Sequence, residues 1–154
     1  MALARLVKLS VTTSQSRSDL KSSFWCGPYS VGRATKAVRR PAAAERMPLA
    51  DASVDIATST FLYHELPPDV RRQVTGEIAR VLKPGGQFVF LDSLQMGDRP
   101  GWDGLLEAFP TRFHEPYYRG YAIDDLEAMF SDAGLAPRSM STPYLAKLMA
   151  REKR

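Results

Sequence analysis

Along the second two-thirds of the chain the apolar positions follow two different periods, and the switch between them predicts the elements. Residues 54–61, VDIATSTF, are β-branched and small, the composition of a strand. LPPD follows, with Asp69 as the expected helix N-cap. Val70, Val74, Ile78, Val81 and Leu82 then recur at helical spacing, which assigns Arg71, Arg72, Gln73 and Glu77 to the opposite, polar face. Pro84 and Gly85-Gly86 end that helix, since proline cannot continue its hydrogen-bond ladder and glycine accepts a left-handed turn. Residues 87–91, QFVFL, form a nearly continuous apolar run, the pattern of a parallel strand covered on both faces. Strand, helix and strand at this spacing make a βαβ unit with a right-handed crossover.

Beyond Asp92 the pattern loosens. WDGLLEAF predicts a short helix inside an irregular stretch, and HEPYYRGYAI is aromatic and turn-prone. DDLEAMFSDAGL, residues 124–135, predicts a helix with Leu126, Met129 and Phe130 on its apolar stripe and Gly134 at its end. APRSMSTPY and LAKLMARE read as a closing hairpin that turns near Thr142-Pro143.

Composition changes the picture mainly for the first forty residues. The chain has 154 residues, 44% hydrophobic and 25% charged, enough for one globular domain with a real core. Its net charge of +4 hides an asymmetry. Residues 1–40 hold eight basic residues and one acid, Asp19, a balance of +7; the rest holds thirteen basic and sixteen acidic residues, a balance of −3. Residues 1–42 are therefore expected to be an atypical basic segment, poorly ordered, with 43–154 as the domain proper. Their acid-poor, Ser- and Arg-containing start is compatible with a disordered tail, a transit peptide or a nucleic-acid arm. No aromatic-basic repeat supports the last, so no nucleic-acid partner is expected. A turn at Gly27-Pro28 leads into a possible short helix. The single cysteine, Cys26, excludes an internal disulfide framework and fits a reducing, cytoplasmic setting. No apolar run approaches the ~20 residues of a membrane span. Two histidines and one cysteine, widely spaced, predict no metal site.

Three stretches in this order, AERMPLADASVDIATSTFLYHELP, EIARVLKPGGQFVFLD and LEAMFSDAGL, resemble class I S-adenosylmethionine (SAM)-dependent methyltransferases. The resemblance is to the small-molecule type related to the ubiquinone and menaquinone methyltransferases. It implies an α/β fold: a Rossmann-like sheet of which this chain carries strands four to seven and their helices. It also implies SAM as cofactor, bound outside the carboxyl ends of the strands. By the same resemblance Ala44 and Glu45 would meet the adenine, and Ser59, Thr60 and Phe61 would line the methionine end. Tyr63, His64, Asp92, Tyr117, Tyr118 and Arg119 would face a small-molecule methyl acceptor, His64 as base or contact. The aromatic rings of Phe61 and Tyr63 could offer faces to the sulfonium, a contact worth roughly 0.5–2 kcal/mol.

The chain departs from the family at its first half. No Gly-x-Gly occurs anywhere in it, and Ala43 stands where the family has an acid. The glycine-loop half is thus missing or degenerate. The expected function is that of a truncated or frame-shifted methyltransferase-like protein of doubtful activity, which leaves the hydrophobic edge of strand four exposed. The alternative is a non-catalytic module that completes its sheet with a partner methyltransferase or with its own twin.

Overall fold

The computed structural model describes residues 9–12 and 42–154. Its sheet has five strands in the order β1-β2-β3-β5-β4: β1 (Leu9–Thr12), β2 (Val54–Thr60), β3 (Leu82–Ser93), β4 (Leu135–Ser141) and β5 (Ala146–Lys153). Strands β2 and β3 are parallel and joined by helix α1 (Pro68–Val81), as the alternating periods predict. Strand β5 returns antiparallel between β3 and β4, closing the chain in a hairpin. Between β3 and β4 lie three helices, α2 (Asp103–Phe113), α3 (Tyr118–Ala122) and α4 (Leu126–Asp132).

Register explains which face is core. Ala57 pairs with Phe88, Ser59 with Phe90, and Phe90 with Met149, so these side chains share the face beneath α1 and α4. All five are buried. Phe130 of α4 stands edge-on to Tyr63 and Phe88, with centroids 5.8 and 5.4 Å away. Each such ring contributes roughly 1.5–3 kcal/mol by burial. The other face carries Ile56, 39% exposed, with Val89 and Leu91 half-buried. The expectation that QFVFL is covered on both faces therefore fails for the described residues: α1 and α4 both lie on the Phe88 side.

Local details also differ from the sequence pattern. Helix α1 starts at Pro68 with Pro67 before it, and Asp69 sits in the first turn rather than at the cap. A proline pair pre-sets the entry to a helix, and its missing N–H groups are ones that the first turn leaves unbonded anyway. Strand β3 begins at Leu82, so Pro84, Gly85 and Gly86 belong to its first half. A side chain at Gly86 would meet the Lys83 carbonyl at 2.8 Å and the Asp55 carbonyl at 3.1 Å, so only glycine lets β3 approach β2 there. Arg71, assigned to the polar face of α1, is wholly buried.

Strand β1 has no counterpart in the expectations. Leu9–Thr12 pair antiparallel with Ile56–Ser59, so the edge of β2 that sequence left open is covered over four residues. The remainder of the basic segment, with Cys26 and the Gly27-Pro28 turn, lies outside the described residues.

Candidate functional site

The carboxyl ends of β2 and β3 form the rim on which a ligand would sit in a parallel sheet. At the end of β2 the backbone leaves the strand through Phe61, which holds a left-handed φ of 48°. That conformation is unfavourable for a side chain of this size and is held by its surroundings. The Phe61 N–H donates to the Leu91 carbonyl at 2.8 Å, which keeps the two strand ends together. A 3-10 turn, Tyr63–Glu65, follows at once and turns His64 back toward β3.

Asp92 organises this corner. It is fully buried and accepts three hydrogen bonds: from the Tyr63 N–H at 2.7 Å, the Ser93 N–H at 2.8 Å and His64 Nδ1 at 2.5 Å. A carboxylate only accepts, so Nδ1 of His64 carries the proton and Nε2 is left as the acceptor nitrogen. The nearest carboxylate to Nε2 is Glu65, whose Oε1 is 4.0 Å away. Phe61, Tyr118 and Tyr121 surround the imidazole edge-on at 6.3, 6.0 and 6.1 Å between centroids. The His64 side chain keeps 11% of its surface exposed.

Two tyrosines from α3 wall the corner. The Tyr118 hydroxyl lies 2.7 Å from Ser93 Oγ, and the Tyr121 hydroxyl donates to the Ser93 carbonyl at 2.5 Å. Burial pushes the ionisation of both upward, and the nearby Asp92 carboxylate adds to it. Arg71 fixes α3 to α1 from beneath. Its Nε donates to the Tyr63 carbonyl at 2.9 Å, and its two terminal nitrogens reach Asp124 Oδ2 at 3.0 Å and the Tyr117 carbonyl at 2.8 Å. A second buried cation, Lys147, donates from β5 to Gln95 Oε1 and Asp98 Oδ1, both at 2.8 Å, while Gln95 donates to the carbonyls of Tyr121 and Asp124. Each cation thus faces a carboxylate and at least one further acceptor, which is how a buried charge becomes tolerable.

The sequence-predicted residues fall into three groups. His64, Phe61 and Thr60 reach the rim, and Ser59 lies one residue inside it, buried, its Oγ without a hydrogen-bond partner. Ala44 is buried and Glu45 exposed in the loop before β2. That loop is held on α1 by Glu77, which accepts from the Met47 N–H at 2.6 Å. The Arg80 guanidinium beside Glu77 holds its carboxyl below the usual range. Arg119 lines an open pocket of about 460 Å³ with Pro110, Thr111, His114, Glu115 and Pro116.

Three expectations are corrected. Tyr63 does not face a substrate: its ring is enclosed among Phe88, Phe90 and Phe130, and its hydroxyl lies 2.9 Å from Thr75 Oγ1. The turn through Phe61 swings residue 63 under the sheet. Asp92 is fully buried and its carboxylate is turned inward, accepting from Tyr63, His64 and Ser93. Tyr118 is buried behind His64 with its hydroxyl already bonded. Arg71, Tyr121, Gln95 and Lys147 were not expected at all. The one signal for Arg71 in the sequence is its place a single turn before the Val74–Ile78 stripe.

The fold and rim define an α/β protein of the Rossmann-like class with its ligand edge at the ends of β2 and β3. Residues 27–90 match the family described as methyltransferase domain, so the similarity reaches upstream of the motifs named above. The chain is 36% identical over 94 residues to the uncharacterized methyltransferase YcgJ of Bacillus subtilis, covering 60% of this chain and 36% of that protein. It is 32% identical over 111 residues to the demethylmenaquinone methyltransferase of Listeria welshimeri, covering 60% of this chain and 46% of that one. The crystal structure of B. subtilis YcgJ superposes with a TM-score of 0.57 at 20% identity, over 78% of this chain and 72% of that one. That of TnmH gives 0.63 at 18% identity, over 77% and 35%. These similarities are to proteins described as methyltransferases; the chain spans less than half the length of these two curated relatives. The residues present fit SAM, the cofactor that the resemblance implies, only in part. The loop before β2 and the rim are there, but no Gly-x-Gly exists in the chain to let backbone close on the ligand.

Proposed function

We propose that these residues form the acceptor side of a SAM-dependent methyltransferase and that on their own they do not hold SAM in a complete cradle. The observation that carries this reading is the Asp92–His64 pair at the ends of two adjacent parallel strands. Asp92 fixes the ring and keeps the proton on Nδ1. Nε2 then accepts a proton from an O–H or N–H of a small-molecule acceptor, and the buried carboxylate stabilises the resulting imidazolium. Phe61 and Tyr121 exclude water around that exchange. Activity by this chain alone is doubtful on this reading, because it supplies the base but not the glycine loop.

Calorimetric titration of the purified chain with SAM, checked with S-adenosylhomocysteine, tests it. No saturable heat below millimolar ligand is expected. Micromolar binding of both would overturn it.

A second reading, a non-catalytic module that completes its sheet with another chain or its own twin, is favoured by one observation: β1 runs against β2 where a doubly wound sheet needs a parallel neighbour.

A further inference from the structure

The segment that leaves β3 carries a buried polar cluster that the acceptor-side reading does not use. Gln95 and Lys147 are both buried. Lys147, on β5, donates to Gln95 Oε1 and Asp98 Oδ1, both at 2.8 Å. An ammonium can only donate, so it fixes the Gln95 amide with its oxygen toward Lys147. The Gln95 NH₂ then donates to the carbonyls of Tyr121 and Asp124, each at 2.7 Å. Helix α3 has five residues, and a helix leaves its last carbonyls without an intrahelical partner. Gln95 closes that end. The next residue adds a backbone tie, from the Met96 N–H to the Ala122 carbonyl at 2.8 Å.

The residue held in this way is one that walls His64. Tyr121 is wholly buried, and its hydroxyl donates to the Ser93 carbonyl at 2.5 Å. Its main chain is therefore anchored by Gln95 and its ring tip by the end of β3. The ring stands edge-on to the imidazole, 6.1 Å between centroids, and Arg71 Cζ lies 5.6 Å from the same ring. Ser93 in turn donates its N–H to Asp92, the carboxylate that holds His64 Nδ1. A continuous set of contacts thus runs from β5 to the imidazole.

We propose that Gln95 and Lys147 are positioning residues for the His64 base. Lys147 selects the orientation of the Gln95 amide. Gln95 holds α3 through its terminal carbonyls, and α3 keeps the Tyr121 ring against His64 and water off the Nδ1–Asp92 bond. Both residues act through Tyr121. The proposal rests on the acceptor-side reading above and extends it from the rim to β5.

The Nδ1 proton of His64 reports the effect in the full chain. Proton–nitrogen correlation spectra of the imidazoles read the tautomer, and solvent exchange of the Nδ1 proton reads the access of water. The chain has two histidines, and the second, His114, is exposed and serves as internal reference. Gln95→Glu is nearly isosteric and keeps an acceptor for Lys147, but it turns an oxygen onto the carbonyls of Tyr121 and Asp124. Exchange of the His64 Nδ1 proton and of amides 121–124 is expected to be at least about tenfold faster than in the parent. Lys147→Met leaves the amide free to turn over and should move both in the same direction by a smaller factor. Gln95→Met removes the donors without adding a charge and carries the same expectation if Gln95→Glu does not fold. Arg99→Ala is the control. Arg99 Nη1 ties the same loop to the same hairpin, at the Tyr144 carbonyl 2.6 Å away, and its loss should leave the His64 proton unmoved. Unchanged His64 exchange in the folded variants overturns the proposal, as does a parent proton that already exchanges too fast to observe. An equal rise in Arg99→Ala also overturns it, since that would be general loosening of the loop. A parent His64 with its proton on Nε2 would instead sink the acceptor-side reading, and the two failures are distinct.

Discussion

Asp92 is the residue at which fold and site are most tightly coupled, and its removal is the sharpest test of the geometry. Alanine at this position leaves the N–H groups of Tyr63 and Ser93 facing a cavity and frees His64 Nδ1. Each buried donor left without a partner costs about 1–3 kcal/mol. Loss of the charged acceptor beneath His64 belongs to the same network, so the whole change is expected at about 3–5 kcal/mol. Asparagine keeps the shape. Its oxygen can still accept from Tyr63, while its NH₂ opposes the Ser93 N–H, and the expected cost is about 1.5–3 kcal/mol. Urea unfolding followed by circular dichroism measures both, with an unchanged m-value as the check that the unfolded state is the same. His64→Ala and the double variant close a cycle, and the pair should show coupling of about 1 kcal/mol or more. An Asp92→Ala protein within 1 kcal/mol of the parent would mean that the carboxylate does not hold the corner, and the account of His64 as an oriented base would go with it.

Other outcomes follow from the same contacts. Arg71→Met removes two donors to the α3 region and one to the Tyr63 carbonyl, and limited proteolysis is expected to cut within residues 113–119 much sooner, with stability lower by about 3–5 kcal/mol. Glu77 has a depressed pKa in the folded protein, so its contribution is present above the unfolded value near 4.5 and is lost as pH falls through the folded one. Hydrogen exchange at Met47 should accelerate first on acidification below about 4.5, and Glu77→Gln should abolish that pH dependence while loosening the loop at neutral pH. Tyr63, Tyr118 and Tyr121 all have ionisation pushed up by burial. The unfolded chain therefore gains stability over the folded one as pH rises past about 10, and ultraviolet titration should show these three ionising together with alkaline unfolding. Phe130→Ala empties the centre of the aromatic cluster and is expected to cost about 3–5 kcal/mol in the same urea assay.

The sequence was most legible where local pattern and burial agree. Val74 and Ile78 announce α1 and Gly134 marks the end of α4, whereas the expected stop at Gly85-Gly86 falls inside β3, beyond the end of α1. These are signals that a chain carries within a few residues of where they act. Arg71, Gln95 and Lys147 are different. Each reads as a solvated side chain until its partners are in place: carbonyls of residues 117–124 for Arg71 and Gln95, and the Gln95 and Asp98 side chains for Lys147, all tens of residues away. Tyr63 was misread for a related reason. The left-handed turn at Phe61 reverses which side of the sheet the next residues face, and nothing in FLYH signals a positive φ. His64 and Asp92 were both singled out by residue type, but their roles, one ring held by one carboxylate, emerge only when β2 and β3 align.

Among the described residues the two borders of the sheet are unlike. On the β4 side, Pro137 removes a donor, Arg138 projects a charge paired with Glu152, and the register slips between Pro137 and Ser139. Such a border resists another strand. On the other side, the four residues of β1, LSVT, contain neither proline nor charge. Self-association of this protein, if forced by heat or concentration, should therefore be polar. Assemblies would grow from the β1 border, and a lysine placed in that short strand should slow them far more than any change in β4.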